Sequence, residues 1–244
     1  MTYLGVFIVL FAGAFVQGLS GFGSAMVWMS FLPLLVSYEV AAAMVPFMLG
    51  ILGLVVTLQL FRHVQWKVAI VPLVVSFMST SLGVWIMSMT TVKTMQIVLG
   101  FFLFLIGIYF FVTSKNPVVI KPTPVNGGIA GFIAGVFTGL LNIGGPPLAI
   151  YYNQATDEPI QYKANLEFNF FVMYGWAAVM KAMQGAVTPE FKAIFLPALA
   201  GLVAGTAIGL KLFGKFDKKI VSYLVWSMLV VMGLFQLGKA FALF

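Results

Sequence analysis

Long apolar stretches without a single charge constrain the fold of this chain more than any other feature. Segments 40–61 and 68–88 each contain more than 20 consecutive uncharged residues, and about 20 apolar residues suffice for a helix to cross a hydrocarbon layer of ~30 Å. Only 8% of all residues are charged, against roughly 25% in a soluble domain. Transmembrane strands would instead be ~10-residue alternating segments. The sequence therefore predicts an all-α integral membrane protein with several transmembrane helices.

Two segments differ from the other apolar ones because a glycine-rich run interrupts each near its middle. These segments are 2–38 and 125–156, and their arms have 11 to 15 residues, or ~16–22 Å as helix. Such arms are too short to cross a bilayer alone, so each segment is predicted to be a re-entrant helical hairpin. The full-length transmembrane helices are predicted at 40–61, 68–88, 92–113, 162–183, 191–212 and 218–243.

The chain also repeats itself. GLSGFG at 18–23, here called the first tip, aligns with the start of GLLNIGGPP at 139–147, the second tip, at an offset of 121. Pro72 and Pro197 align further on, at an offset of 125. Each half therefore contains one hairpin and three helices. The predicted parts are a first repeat at 1–113, a linker at 114–124 and a second repeat at 125–244.

The lysine and arginine distribution favours hairpins over single crossings. If both hairpins return to their own side, nine of the 13 basic residues share one face of the membrane, as the positive-inside rule requires. Lys93, Lys181, Lys192 and Lys239 would then lie at the opposite face. With single crossings, the division is nearly even. Three crossings per half invert the second repeat relative to the first, as in many secondary transporters. We expect a multi-pass protein of the inner (plasma) membrane with both termini outside.

The two tips predict a site for an anion at mid-membrane. Irregular backbone is tolerated at that depth only where it is buried in protein or lines a watery cavity. The helix that follows each tip begins with unpaired N–H groups that carry partial positive charge, so no buried lysine is needed. The alternative is that the glycines only allow close helix packing. The candidate substrate-binding residues are Gln17, Ser20, Gly21, Phe22, Gly23 and Ser24 at the first tip, and Thr138, Asn142, Gly144, Gly145 and Pro146 at the second.

The segment 162–183 is the most polar of the predicted spans. Asn165 and Asn169 are four residues apart, so they share a helix face and could both reach a solute. Glu167 is the acidic residue inside a predicted span, which makes it a candidate for coupling to protons or another cation. The alternative for Glu167 is a structural pair with Lys163, four residues earlier.

Several function classes lack support in the sequence. The chain has no cysteine, and it shows neither a nucleophile–base set, nor a Walker loop, nor metal-ligand spacing. Its basic residues lie between spans and form no cluster for nucleic acid. We therefore expect no enzyme activity, no cofactor and no metal. The expected partners are a small anionic solute and the bilayer, with proton or sodium coupling and the oligomeric state left open.

The two tips resemble a known family. GLSGFG and GVFTGLLNIGGPPLAI, at 135–150, are similar to the paired motifs of the TauE/SafE family of sulfite exporters, or anion permeases, and the resemblance covers the whole chain. The first tip departs from the family's usual run of consecutive glycines. The resemblance implies transport, often export, of sulfite, sulfoacetate or other organosulfonates. It also implies that Gly21, Gly23, Asn142, Gly144 and Gly145 line the substrate.

These observations predict a secondary transporter of a small anion, a sulfite-like or sulfonate-like oxyanion. It would work by alternating access, with the solute between the two tips. One alternative is an anion channel that uses the same tips as a selectivity filter. The other is a membrane enzyme or assembly factor without transport activity.

Overall fold

The computed structural model describes residues 2–114, 119–212 and 218–241. This part of the chain is helical without strands, which confirms the all-α class. Residues 115–118 of the predicted linker and 242–243 of the last predicted helix lie outside the described residues. Short 3-10 turns follow α2 and α3 at Leu32–Leu34 and Phe61–His63. The α-helices are α1 Thr2–Ser20, α2 Ser24–Phe31, α3 Tyr38–Leu60, α4 Trp66–Ser88, α5 Val92–Thr113, α6 Pro124–Leu141, α7 Gly145–Ala155, α8 Pro159–Met183, α9 Pro189–Lys211 and α10 Lys218–Ala240.

Six helices of the described chain are long and apolar enough to cross a membrane: α1, α3, α4, α5, α6 and α9. This agrees with a multi-pass membrane protein. However, α1 and α6 were expected to be short hairpin arms. With 19 and 18 residues, they extend ~28 and ~27 Å, so the expectation that every arm is too short to cross is wrong. The arms that follow, α2 and α7, have only 8 and 11 residues.

Helix α1 breaks at the first tip and the chain returns alongside it. Gly21 and Gly23 have φ angles of 85° and 107°, a left-handed conformation that glycine adopts without steric cost. The indole N–H of Trp28 then donates to the carbonyl of Leu10 at 3.1 Å. A Cβ on Gly13 would lie 2.2 Å from that indole nitrogen. The two helices are thus antiparallel and in close contact.

Helix α6 breaks at the second tip through a left-handed C-cap. Asn142, with φ 60°, is the one non-glycine residue with positive φ among those the structure describes. Its N–H donates to the Thr138 carbonyl at 2.9 Å, and the Ile143 N–H donates to the Phe137 carbonyl at 3.2 Å. These bonds satisfy carbonyls that the end of a helix leaves unpaired. The α7 helix then begins at Gly145.

The chain packs as two compact units, and each draws helices from both halves of the sequence. The first comprises the described residues within 1–41, 90–118 and 196–244, and the second comprises 42–89 and 119–195. The first unit therefore contains the α1–α2 pair, α5, α10 and most of α9. The second contains most of α3, together with α4, the α6–α7 pair and α8.

In the second unit, α6 runs parallel to α4 at very short range. A Cβ on Gly135 would lie 2.4 Å from the Ser76 carbonyl, and one on Gly139 would lie 2.4 Å from the Thr80 carbonyl. Only glycine allows this approach of the two backbones, as small residues do in membrane helix pairs. The close packing explains why α6 continues through its glycines as a helix up to the second tip.

The first unit contains a helix pair of the same kind. A Cβ on Gly205 of α9 would lie 2.3 Å from the Phe11 carbonyl of α1, and one on Gly209 would lie 2.7 Å from the Phe15 carbonyl. The residue numbers of the contacting pairs increase together along the two helices, so α1 and α9 are also parallel. Here the contacting glycines belong to α9, whereas in the second unit α6 supplies most of them.

Candidate functional site

The second tip is held by buried polar groups of α3 and α8. The Asn142 side-chain amide donates to the Ala42 carbonyl at 3.0 Å. The Lys181 ammonium donates to the same carbonyl at 2.8 Å, and to the side-chain oxygen of Asn142 at 2.8 Å. Asn142 is fully buried and Lys181 is 3% exposed. Three residues that are distant in the sequence thus form a closed, buried hydrogen-bonded triangle.

Tyr174 closes the helix break from the other side. Its hydroxyl donates to the Asn142 carbonyl at 3.1 Å and accepts the Gly144 N–H at 3.1 Å. A phenol can both donate and accept, so one buried side chain satisfies two backbone groups that the break leaves without helical partners. Tyr174 therefore fixes the geometry of the second tip.

Gly144 fits tightly among its neighbours. A Cβ at this position would lie 2.0 Å from the Thr138 hydroxyl oxygen and 2.4 Å from the Ala134 carbonyl. Thr138 itself is buried and contacts the sulfur of Met173 at 3.2 Å. The structure thus brings Thr138, Asn142 and Gly144 together, as predicted from the sequence. No larger side chain fits at position 144 without a shift of backbone.

The expected donors of the second tip are only partly available. The Gly144 N–H and the Asn142 amide were both expected to contact a solute, but both have protein acceptors. Pro146 and Pro147 occupy the first turn of α7 and carry no N–H. Gly145 supplies a first-turn N–H, a position that has no acceptor within its own helix.

The buried ammonium of Lys181 corrects a second expectation. The charge distribution placed Lys181 at the membrane surface, because it lies two residues before the end of α8 at Met183. Long helix side chains lean toward the helix N-terminus, however, and this one reaches back into the protein. Tyr174 and Lys181 are two turns apart on α8, so they lie on one face of the helix. This spacing was the feature of the sequence that indicated a shared environment for the two side chains. A single sequence does not show that this face meets the second tip.

The first tip lies in the other compact unit and has its own internal bonds. The Ser24 hydroxyl donates to the side-chain oxygen of Gln17, and both residues are buried. The Gly21 N–H donates to the Gln17 carbonyl at 2.8 Å. The Phe22 ring lies 6.0 Å from that of Phe110. The Ser20 side chain, a predicted donor, lies outside the described residues.

The two asparagines of α8 have protein partners away from the second tip. Asn169 accepts from the Ser76 hydroxyl at 2.9 Å and donates to the Tyr152 hydroxyl at 3.1 Å. Asn165 accepts the Gln65 N–H at 2.8 Å, at the beginning of α4. These bonds connect α8 with α4 and α7, and the structure does not bring either residue together with Asn142.

Glu167 is also buried, with 1% of its surface exposed. It lies within electrostatic range of Lys163, one turn earlier on α8. The structural alternative raised for Glu167 from the sequence is therefore compatible with its position. In the described ranges, no group of three or more metal-ligating side chains is close enough to hold a metal ion.

The six helices of the described chain that are long and apolar enough to cross a bilayer indicate a multi-pass integral membrane protein. A family model described as "Sulfite exporter TauE/SafE" matches residues 6–235. The chain therefore belongs to the TauE/SafE family of sulfite exporters, as its two tips indicated. Membership implies a membrane exporter of sulfite or a related anion, and the family's members are transporters rather than enzymes. No curated protein and no solved structure matches the chain.

Proposed function

We propose that the protein is a secondary transporter of a small sulfur oxyanion, such as sulfite or an organosulfonate, and that the second tip forms part of its binding site. The observation that carries this proposal is the buried break between α6 and α7, where a lysine ammonium lies beside the Asn142 side chain. Polar groups at a helix break inside a membrane protein mark binding sites in secondary transporters. Family membership supports an anion as the solute.

We infer the depth of the second tip from its position along α4. In the parallel α4–α6 pair, Gly139 lies beside Thr80 and Val84. Asn142, three residues further, is therefore level with the last turns of α4, which ends at Ser88. Within this unit, the second tip lies nearer the C-terminal ends of α4 and α8 than their middles. An anion bound there would be close to one side of the membrane.

The close helix pairs support an internal repeat with inverted halves. An offset of 121 maps Gly18 of α1 onto Gly139 of α6, and an offset of 125 maps Val84 of α4 onto Gly209 of α9. Gly18 packs against Gly209 in one unit, and Gly139 packs against Val84 in the other. We propose the domain division 1–113 and 125–244 on this basis, with re-entrant hairpins α1–α2 and α6–α7. The contribution of the first tip to the same site remains a prediction.

Alternating access is the mechanism we propose, and Glu167 remains the candidate for coupling. A proton-carrying carboxylate would make flux depend on pH, so Glu167→Gln should flatten the pH profile of transport. An unchanged profile would assign the carboxylate to a structural pair with Lys163.

Counterflow in proteoliposomes tests the function. Vesicles loaded with unlabelled sulfite should accumulate radiolabelled sulfite transiently, because a carrier that exchanges its solute is accelerated by solute on the opposite side. Sulfate, thiosulfate and short sulfonates inside the vesicles would rank the substrates. Saturable flux without trans-stimulation would indicate a channel. The absence of flux for every anion would overturn the proposal.

A further inference from the structure

The Lys181 ammonium is a buried cation whose partners in the structure are neutral. Its two acceptors are the Asn142 side-chain oxygen and the Ala42 carbonyl, and among the described residues no carboxylate is bonded to it. Transfer of an ammonium from water into a protein interior costs several kcal/mol unless a counter-charge compensates. Two carbonyl dipoles supply only part of that compensation. An anionic guest would supply the missing counter-charge.

The same two contacts also restrain the second tip. Asn142 belongs to the break between α6 and α7, whereas Ala42 belongs to the first part of α3. Because the Asn142 amide donates to the Ala42 carbonyl as well, Lys181 closes a three-way connection between α3, α8 and the tip. Any ligand that attracts the ammonium more strongly than these carbonyls would loosen that connection.

We propose that Lys181 recognises the negative charge of the transported anion, and that oxygens of the anion replace Asn142 and Ala42 as acceptors for its ammonium. Hydrogen bonds from a cation to an anionic oxygen are roughly twice as strong as those between neutral groups, and they gain further strength where water is excluded. The exchange also releases Asn142 from Lys181, so binding of the anion removes one of the attachments of the second tip to α8 and leaves the Tyr174 bonds in place. This inference rests on the proposed function and assigns its charge selectivity to one residue.

The test uses the full-length protein, with methanesulfonate and methanesulfonamide as probes. The two have nearly the same shape, but only the first is charged at neutral pH. The wild-type protein should be stabilised against heat by methanesulfonate and not by the sulfonamide. Equal stabilisation by both probes would overturn the proposal without any variant.

The variants Lys181→Met and Lys181→Arg separate charge from packing. We expect Lys181→Met to raise the half-saturating concentration for sulfite at least about tenfold, as truncation of one partner of a buried charged pair commonly does. Lys181→Arg should retain most of the affinity because it keeps the charge. Lys192→Met removes the same charge at an exposed position of α9 and should change the half-saturating concentration less than about twofold.

Folding is checked by size-exclusion chromatography and thermal unfolding. If Lys181→Met is not recovered folded, Lys181→Gln replaces it, since the glutamine keeps a donor for Asn142 without the charge. Wild-type affinity for sulfite in a folded neutral variant would overturn the proposal. This holds even if that variant has lost flux, because Lys181 would then act in a conformational step of transport rather than in recognition of the anion. If wild-type protein transports no anion, the proposed function fails instead, which distinguishes the two failures.

Discussion

The Tyr174 hydroxyl bridges the helix break, since it contacts both Asn142 and Gly144. Each buried partner left unsatisfied costs about 1–3 kcal/mol. At this scale the chemistry of the tip depends on side chains of α8 as much as on the glycines. The backbone break is thus stabilised from outside its own two helices.

Tyr174→Phe should lower the melting temperature in detergent by roughly 4–24 °C, because two unsatisfied partners together cost ~2–6 kcal/mol, at ~2–4 °C per kcal/mol in a chain of this size. It should also reduce sulfite flux. Tyr223→Phe, at an exposed position of α10, is the matched control and should melt like the wild type. If both variants melt alike, Tyr174 does not hold the second tip.

The sequence predicted the residues of the tip better than their partners. Asn142 and Gly144 were identifiable because a glycine-rich run inside an apolar segment is rare unless the backbone turns there. Lys181 was assigned to the surface because its position near a helix end is typical of topology-setting lysines. Helical spacing tells which residues share a face, but only the tertiary fold shows that this face meets the second tip. Asn165 was predicted to reach a solute, and that stays a prediction; the bond from the Gln65 N–H to its side-chain oxygen could not be predicted, for the same reason.

Among the elements, α1 and α6 differ most from expectation in length. They were predicted as arms 3–17 and 127–141, too short to cross, whereas the structure has Thr2–Ser20 and Pro124–Leu141. Both helices keep glycines in their last turns because α9 and α4 pack directly against them. The existence of the breaks was predictable from composition, whereas the unequal arm lengths depend on neighbours that the sequence does not identify.

Gly135→Ala tests this packing at the element scale. Its Cβ would lie 2.0 Å from the Ser79 hydroxyl oxygen and 2.4 Å from the Ser76 carbonyl. We expect a loss of about 1–3 kcal/mol from overpacking, and hence a melting temperature lower by several degrees. Gly128→Ala lies two turns earlier on α6, with its nearest neighbouring atom at 3.6 Å. It should be neutral or slightly stabilising.

The melting temperatures of Gly135→Ala and Gly128→Ala together test whether α4 and α6 are in backbone contact. A Gly135→Ala protein as stable as Gly128→Ala would show that α4 and α6 are not packed at backbone contact. A loss in both would indicate that α6 depends on glycine generally rather than on its close approach to α4.

At the scale of the whole molecule, the proposed inverted repeat predicts where the two proposed re-entrant segments enter the membrane. The chain has no cysteine, so Ser37→Cys and Thr156→Cys each introduce a single thiol without background. Both positions follow a short second arm, at matching points of the two repeats. We expect a membrane-impermeant maleimide to label them from opposite sides. Labelling of both from one side would rule out inverted halves.

Family membership and the all-α, multi-pass class could be anticipated from the sequence, because both depend on local motifs and hydropathy. The set of long apolar helices was predicted only in part, since α1 and α6 belong to the six found in the described chain and α8 and α10 do not. The distribution of the helices over the two compact units could not be anticipated in this way. Each unit combines helices from both halves of the sequence, and such an arrangement follows from contacts between distant segments rather than from any local pattern.

The location of a bound anion tests the central claim most directly. Selenite has the charge and shape of sulfite, and its selenium can be located by anomalous diffraction from crystals of the wild-type protein. We expect the selenium beside the second tip, with an oxygen ~2.7–2.9 Å from the Lys181 ammonium, the usual length of such charged hydrogen bonds. A selenite ion bound elsewhere in the protein, with none at the second tip, would contradict the claim.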